Sequence, residues 1–158
     1  MSQAHDTKFM QRALELAHQA AGAGEVPIGA VVVTPLREII GEGWNQTETL
    51  QCQDQHAELC AIRAATTTIG DWRLDGCTIY ITLEPCVMCL GCIVLSRIER
   101  IVYAAESPLF GFHVGHENVY ELYAKKVKNI TTGVCKEESQ ALLKDFFKKQ
   151  RIQRATEN

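Results

Sequence analysis

The sequence contains no long apolar run, and this absence limits where the chain is expected to work. None of its 158 residues belongs to an apolar stretch approaching the length that spans a bilayer, so no membrane-spanning helix is expected. The first residues, MSQAHDTKFMQRALELA, also lack the basic and then apolar order of a signal peptide. Both absences predict a protein that stays out of the membrane and is located in the cytoplasm.

An excess of positive charge is missing as well. Lysine and arginine number 16 against 19 acidic residues, which gives a net charge of −3 and does not indicate nucleic-acid binding for the chain as a whole. The charge is unevenly spread, because LLKDFFKKQRIQR near the C-terminus holds five basic residues and one acid. Such a run is usually the solvent-exposed face of a helix, so charge alone leaves an RNA partner open.

No internal repeat, low-complexity segment or linker interrupts the chain, and 158 residues suit one domain, 1–158. Asp6 or Thr7 is expected to cap a first helix that Gly22 and Gly24 end. Hydrophobic periodicity predicts further helices and strands. The predicted strands are 28–34, 38–45, 77–83, 100–105 and 127–133, and the further helices are 55–68, 86–95, 118–125 and 136–151, with a loop over 106–117.

The order of these elements predicts the fold class. The first two strands are separated only by a short turn at Pro35, which favours an antiparallel hairpin. After the hairpin, strands alternate with helices, and such crossovers favour parallel neighbours. The sequence therefore predicts an α/β layered domain with a mixed sheet.

Cysteine is the residue type that the chain has in plenty. Seven cysteines are many for this length, and their odd number without an export signal argues against a disulfide framework. Scattered thiols are usually small buried hydrophobic residues, whereas clustered thiols suggest metal binding or catalysis. The scattered ones, expected to be buried, are Cys52, Cys60, Cys77, Cys92 and Cys135.

The clustered thiols lie in LEPCVMCLGC, where Cys86 and Cys89 follow a predicted strand and open a predicted helix. A helix N-terminus favours thiolates through its free N–H groups and its dipole. Pro85 lacks a backbone donor and helps to turn the chain into the helix. Two thiolates here provide half of a zinc site, although a C-x-x-C pair alone is also compatible with a redox dithiol.

A second motif, HAE, favours zinc binding over a redox dithiol. His56 begins a predicted helix and Glu58 lies two residues on, so one imidazole and two thiolates make three ligands, the number that a catalytic zinc uses while keeping a position for water. Glu58 is then placed to move protons without binding the metal. A closed four-ligand structural zinc, completed by Cys60 or Cys92, is the alternative, but it leaves Glu58 without a role.

The order H-x-E and then P-C-x-x-C is the pattern of zinc-dependent nucleobase deaminases. The wider sequence resembles one branch of them, the bacterial tRNA-specific adenosine deaminases, over about residues 7–152. The segments that carry the resemblance are GEVPIGAVVV, GEGWN, HAE, TLEPCVMCLG, SRIERIVYAA, ITTGV and ALLKDFFKKQR. The metal motifs alone would indicate only the cytidine deaminase-like superfamily. The combination of GEVPIGAV, LEPCVMC and DFFKKQR in this order narrows the resemblance to the tRNA-specific branch.

The resemblance implies roles for individual residues. His56, Cys86 and Cys89 would hold one Zn²⁺ per chain, and Glu58 would shuttle protons. Asn45 and the backbone amide of Ala57 would bind the flipped adenosine. The RNA-facing residues would come from the basic C-terminal helix, where one of two neighbouring phenylalanines is expected to reach the RNA and the other to pack inside. These are Phe146, Phe147 and Lys148.

The resemblance also implies a fold, an activity and partners. It implies a three-layer α/β/α cytidine deaminase-like fold with a five-stranded mixed sheet, working as a homodimer. The implied reaction converts adenosine to inosine at the first anticodon position of an arginine tRNA. Two alternatives stay open: a free-base or nucleoside deaminase of guanine or cytosine type, and a non-catalytic, zinc-stabilised RNA-binding module. The segment 106–113 lacks the Asp-x-Lys of many members, and Asp54-Gln55 replaces their usual Thr-Ala pair.

Overall fold

The computed structural model describes residues 3–113 and 127–156. The predicted helix over 118–125 and His116 lie outside these residues. The described part contains no helix long and apolar enough to cross a membrane. Its elements are α1 Gln3–Gly22, β1 Gly29–Val33, β2 Ile39–Trp44, α2 Thr47–Leu50, α3 Ala57–Ile69, β3 Thr78–Leu83, α4 Val87–Leu95, β4 Arg100–Ala105, β5 Asn129–Thr132 and α5 Lys136–Thr156.

The strands form one five-stranded mixed sheet in the order β2-β1-β3-β4-β5. β1 pairs antiparallel with both β2 and β3, whereas β3, β4 and β5 are parallel neighbours. Parallel strands need a crossover connection, and α4 supplies it between β3 and β4. The predicted hairpin and the predicted mixed sheet are both confirmed.

Helices cover both faces of the sheet, which gives three layers. Side chains alternate along each strand, so one face packs on α1 and α5 and the other on α3 and α4. On β1, for example, Val31 and Val33 face α1, while Ala30 and Val32 face α3. The layered fold expected from the sequence is therefore present.

One edge of the sheet collects the ends of four strands. β3 and β4 end there, β1 begins there, and antiparallel pairing brings the end of β2 beside them, with Gly29 opposite Trp44. Helix α3 lies close on β2 because Gly43 has no side chain: a Cβ at this position would run into the backbone of Ala57 and Ala61. The first turn of α3 is therefore held directly over the end of β2.

Two local expectations are wrong. Asp6 does not cap α1, since the helix begins at Gln3 and the Asp6 carboxylate instead pairs with Arg100 and accepts a hydrogen bond from Tyr80. Cys52 is exposed rather than buried, because it lies in the polar turn after α2, where its Sγ donates to Asp54 Oδ1 at 2.9 Å. Of the other scattered thiols, Cys77 is buried and Cys60, Cys92 and Cys135 are half-buried.

Candidate active site

His56, Cys86 and Cys89 come together at the sheet edge where β3 ends. Their potential ligand atoms all lie within 4.8 Å of one another. His56 Nδ1 is 3.4 Å from Cys89 Sγ and 3.8 Å from Cys86 Sγ. Tetrahedral zinc with Zn–S of about 2.3 Å and Zn–N of about 2.0 Å requires S···N separations of about 3.5 Å. The donor types and their spacing therefore fit a zinc ion.

Helix N-termini place these ligands. His56 is the N-cap residue of α3 and Cys86 that of α4, both with extended backbone, and neither side chain caps its own helix. The His56 imidazole reaches across to α4, where its Nδ1 lies between the sulfurs of Cys86 and Cys89. The positive ends of two helix dipoles meet here and favour negatively charged ligands.

The two thiols are coupled through a shared proton. Cys89 donates to Cys86, and this hydrogen bond, helped by His56 against the effect of burial, lowers the pKa of Cys86 to about 4. The same bond, together with burial, raises the pKa of Cys89. The pair therefore holds one negative charge at neutral pH, and a divalent cation between them would displace the remaining proton.

Glu58 is the buried acid of the site. It lies in the first turn of α3, is 4% exposed, and belongs to the same helical turn as His56. Burial raises the pKa of Glu58, which outweighs the opposing effects of its own backbone and of His56. A buried carboxyl group with a raised pKa next to three potential metal ligands is suited to accept and return protons.

Asn45 and Ala57 belong to the chain segments that lead to this cluster. Asn45 follows β2 directly, is 6% exposed, and accepts a hydrogen bond from Thr47 Oγ1 at 2.9 Å. Ala57 is the buried first residue of α3, and its N–H is among the helix-terminal donors that no intrahelical carbonyl satisfies. Gln46 N donates to Gln55 O at 3.0 Å, which ties the residue after Asn45 to the residue before His56.

Glu84 is a structural residue of the site that sequence reasoning missed. Its buried carboxylate accepts hydrogen bonds from the backbone N–H groups of Ser107 and His113, both at 3.0 Å, and lies 2.9 Å from His113 Nδ1. It thereby folds loop 106–113 against the segment that leads into α4. The available signal was an isolated acid between an apolar strand and Pro85.

The residues predicted to face RNA lie elsewhere. Phe146, Phe147 and Lys148 belong to α5, which covers the opposite face of the sheet from α3 and α4. Phe146 is half-buried, whereas Phe147 is 44% exposed and Lys148 is exposed. Of the two phenylalanines, Phe147 is therefore the one that faces outward. None of these three residues belongs to the group of His56, Cys86 and Cys89, called the metal-type cluster below.

The sequence matches a known family over most of this architecture. The family described as the cytidine and deoxycytidylate deaminase zinc-binding region matches residues 3–105. The tRNA-specific adenosine deaminase of Haemophilus influenzae is 40% identical over 153 residues, covering 96% of this chain and 88% of that protein. The matched region includes every residue of the metal-type cluster.

Solved structures share the fold. One, from a study of A-to-I editing by tRNA:A34 deaminases at the wobble position of transfer RNA, superposes with a TM-score of 0.79 at 36% identity, covering 87% of this chain and 99% of that one. A guanine deaminase from Nitrosomonas europaea superposes with a TM-score of 0.78 at 27% identity, covering 89% and 83%. The fold is thus common to deaminases of different substrates.

Proposed function

Because the chain belongs to the tRNA-specific adenosine deaminase family, within the cytidine and deoxycytidylate deaminase zinc-binding family, we propose that it converts adenosine to inosine at the wobble position of a tRNA. The observation that carries the proposal is the buried Glu58 beside the His56, Cys86 and Cys89 cluster, within a chain 40% identical to a named tRNA deaminase. The finer proposal is an arginine tRNA, acted on in the cytoplasm by a homodimer of a single deaminase domain.

His56, Cys86 and Cys89 would hold one zinc ion per chain. When bound, zinc supplies a positive charge that brings the pKa of a water molecule to about 7. The protein contributes a fixed donor set, because two helix N-termini and the short connection between β3 and α4 hold the three side chains in place. Preformed ligands reduce the ordering that metal binding would otherwise require.

Glu58 would carry the protons of the reaction. It accepts a proton from the attacking water and delivers it to a ring nitrogen of adenine. It then takes the remaining proton of the added hydroxyl group and passes it to the amino group, which leaves as ammonia when the C–N bond breaks. The overall balance is adenosine plus water giving inosine plus ammonia. The raised pKa of Glu58 suits both transfers, because burial makes its carboxyl group a stronger proton acceptor than an exposed one.

Substrate contacts would come from two regions. The amide of Asn45 and the N–H of Ala57 would hydrogen-bond the base, which enters the pocket after leaving the stack of the anticodon loop. Phe147 and Lys148 on α5 would contact RNA outside the pocket, by stacking and by phosphate binding. Phe146 is half-buried and is therefore assigned to packing.

Deamination of free guanine is the second candidate activity. It is favoured by the likeness to the Nitrosomonas europaea guanine deaminase and by loop 106–113, which departs from the Asp-x-Lys pattern of many tRNA deaminases. The exposed basic residues of α5 favour the tRNA instead, because a free base would not need them.

A deamination assay on the zinc-loaded protein separates these activities. The substrates are an arginine tRNA with adenosine at the first anticodon position, a second tRNA given adenosine there, and free adenosine, guanine and cytidine. Glu58→Ala is the control, with its zinc content measured in parallel. We expect inosine in the arginine tRNA only, and no turnover by Glu58→Ala despite retained zinc.

Each other result would change the proposal. Inosine in both tRNAs would remove the arginine specificity and keep the tRNA activity. Turnover of guanine with the tRNAs unchanged would replace the proposed function by the free-base activity. RNA binding with no turnover of any substrate by the parent protein would favour the non-catalytic module.

A further inference from the structure

Glu25 is a buried acid for which the proposed chemistry has no role. It is 0% exposed, although it lies in a connection between α1 and β1. The end of α1 directs it inward: Gly24 adopts a left-handed conformation, with φ of +81°, and Glu25 N donates to Ala20 O at 2.9 Å. This arrangement is the Schellman ending of a helix, in which the chain reverses immediately after the glycine.

The carboxylate of Glu25 accepts three hydrogen bonds from one segment. Its Oε2 accepts from Asn45 Nδ2 at 3.1 Å and from the backbone N–H of Glu48 at 3.2 Å. Its Oε1 accepts from the backbone N–H of Thr49 at 2.6 Å. Glu25 therefore satisfies N-terminal donors of α2, whose own N-cap residue, Gln46, makes no side-chain cap bond.

These contacts determine which way the Asn45 amide points. A carboxylate only accepts hydrogen bonds, so it must face the NH₂ group of Asn45 and not the carbonyl oxygen. Thr47 Oγ1 donates to Asn45 Oδ1 from the other side and selects the same orientation. One N–H and one acceptor lone pair of the amide remain for a ligand, in a fixed order.

From this network we infer that Glu25 is a positioning residue of the deaminase, acting on the substrate through the amide orientation of Asn45. The inference rests on the proposed function, because it assumes that Asn45 binds the base. The donor and the acceptor of the Asn45 amide must face an acceptor and a donor on the purine edge. A reversed amide would place its donor against a donor of the base and its acceptor against an acceptor. Glu25 also places the segment relative to the metal-type cluster, since Gln46 is bonded to Gln55, the neighbour of His56.

A double-mutant cycle tests whether Glu25 acts through Asn45. Deamination is measured under single-turnover conditions for Glu25→Gln, Asn45→Ala and the double variant. Glu25→Gln keeps the shape of the side chain but gives it an NH₂ group, which allows the Asn45 amide to reverse. We expect Glu25→Gln to lower the single-turnover efficiency about tenfold to a hundredfold in the parent background, as misplaced substrate contacts do. In the Asn45→Ala background we expect no further loss.

Two additional variants separate positioning from folding. Thr47→Val removes the hydroxyl on the opposite side of the amide without disturbing Glu25, and its smaller loss should likewise disappear when Asn45 is alanine. Glu42→Gln is the matched control, because Glu42 is a half-buried acid of neighbouring β2 that bonds Arg12 on the surface. It should leave deamination unchanged. Zinc content and thermal unfolding are recorded for every variant.

The outcomes distinguish this inference from the proposed function. Glu25→Gln could instead lower the single-turnover efficiency by the same factor in the parent and in the Asn45→Ala background, or leave it unchanged in the parent. Either result would show that Glu25 only supports the fold. If Glu25→Gln does not fold, Thr47→Val decides the question. An equal loss of single-turnover efficiency from Thr47→Val in the parent and in the Asn45→Ala background would then overturn the inference. If the parent deaminates a free base and not the tRNA, the proposed function fails and the same cycle is run on that base. A parent with no deaminase activity would overturn both.

Discussion

Cys92 is a thiol close to the candidate metal site whose sulfur lies outside the cluster of potential ligands. It lies one helical turn after Cys89 on α4 and is half-buried. Among the residues that the structure describes, the ligand atoms gathered within 4.8 Å of one another come from His56, Cys86 and Cys89. Burial raises the pKa of Cys92, as it does that of Cys89, so the position of the sulfur and not its pKa sets Cys92 apart from the three potential ligands.

Cys92→Ser is therefore expected to keep one zinc per chain and most of the activity. The serine hydroxyl fits the space of the thiol and removes only a weak donor. Metal content measured after dialysis checks the expectation, with Cys89→Ser as the matched variant that should lose zinc. Loss of zinc from Cys92→Ser would instead establish a closed four-ligand site.

The candidate catalytic and metal-binding residues are easier to predict from the sequence than the residues that position them. His56, Glu58, Cys86 and Cys89 can be found from their types and spacing, and the structure brings the three potential ligands among them together. Glu25 carries no such pattern, since its partners Asn45, Glu48 and Thr49 lie 20 or more residues away in the chain. Its only signal is an acid in a segment that is otherwise apolar. Long-range hydrogen bonds of this kind have no sequence period.

The same distinction between local and distant causes holds for the helices and strands. α3, α4 and β4 agree with their predicted positions within about two residues, the usual scatter of element ends, because apolar periodicity and turn residues define them locally. The sequence pattern does not predict α2, because its four residues lack a local cap and depend on Glu25. The predicted end of α5, at 151, is too early, since exposed polar residues continue a helix without an apolar period.

α5 also carries the clearest prediction about RNA. Its outer half exposes Phe147, Lys148 and Lys149, while Leu142 and Leu143 are half-buried against the rest of the protein. Replacing both lysines by glutamine should weaken tRNA binding and reduce its dependence on salt. The slope of log K against log salt should fall by about 0.7 to 0.9 for each phosphate that the variant no longer neutralises.

Titrations of tRNA binding at several salt concentrations measure this slope. Lys8→Gln combined with Lys128→Gln is the control, because it removes the same charge from exposed positions on α1 and next to β5. An equal change of slope in the control would mean that only overall charge matters. An unchanged slope in the α5 variant would rule out α5 as a phosphate-binding surface.

At the scale of the whole molecule, a buried ion pair helps to join the first helix to the sheet. Arg100 of β4 donates to both carboxylate oxygens of Asp6 at 2.8 Å, and the Tyr80 hydroxyl of β3 donates to the same carboxylate at 2.8 Å. The Arg100 guanidinium also donates to Thr131 of β5 at 2.9 Å. Four elements far apart in sequence therefore meet at a pair whose side chains are 15% and 5% exposed.

The pair makes stability depend on pH in a defined direction. Burial alone would raise the pKa of Asp6, but the hydrogen bonds from Arg100 and Tyr80 outweigh it, so the pKa lies below its ordinary value of 3.8. The folded protein therefore binds this proton less readily than the unfolded chain. The contribution of Asp6 to stability is present above pH 3.8 and is lost as the pH falls through the lowered pKa.

Asp6→Asn should accordingly lower the free energy of unfolding at neutral pH by about 3 kcal/mol, because Arg100 is left buried without its counter-charge. The deficit relative to the parent should shrink as the pH falls below 3.8, where the parent loses the same interaction. Urea unfolding at a series of pH values measures both effects. Asp75→Asn is the control, because its pairing with Arg97 at 3.9 Å is exposed and should contribute less than about 1 kcal/mol. A deficit that stays constant down to low pH would show that Asp6 stabilises the fold by packing and not through its charge.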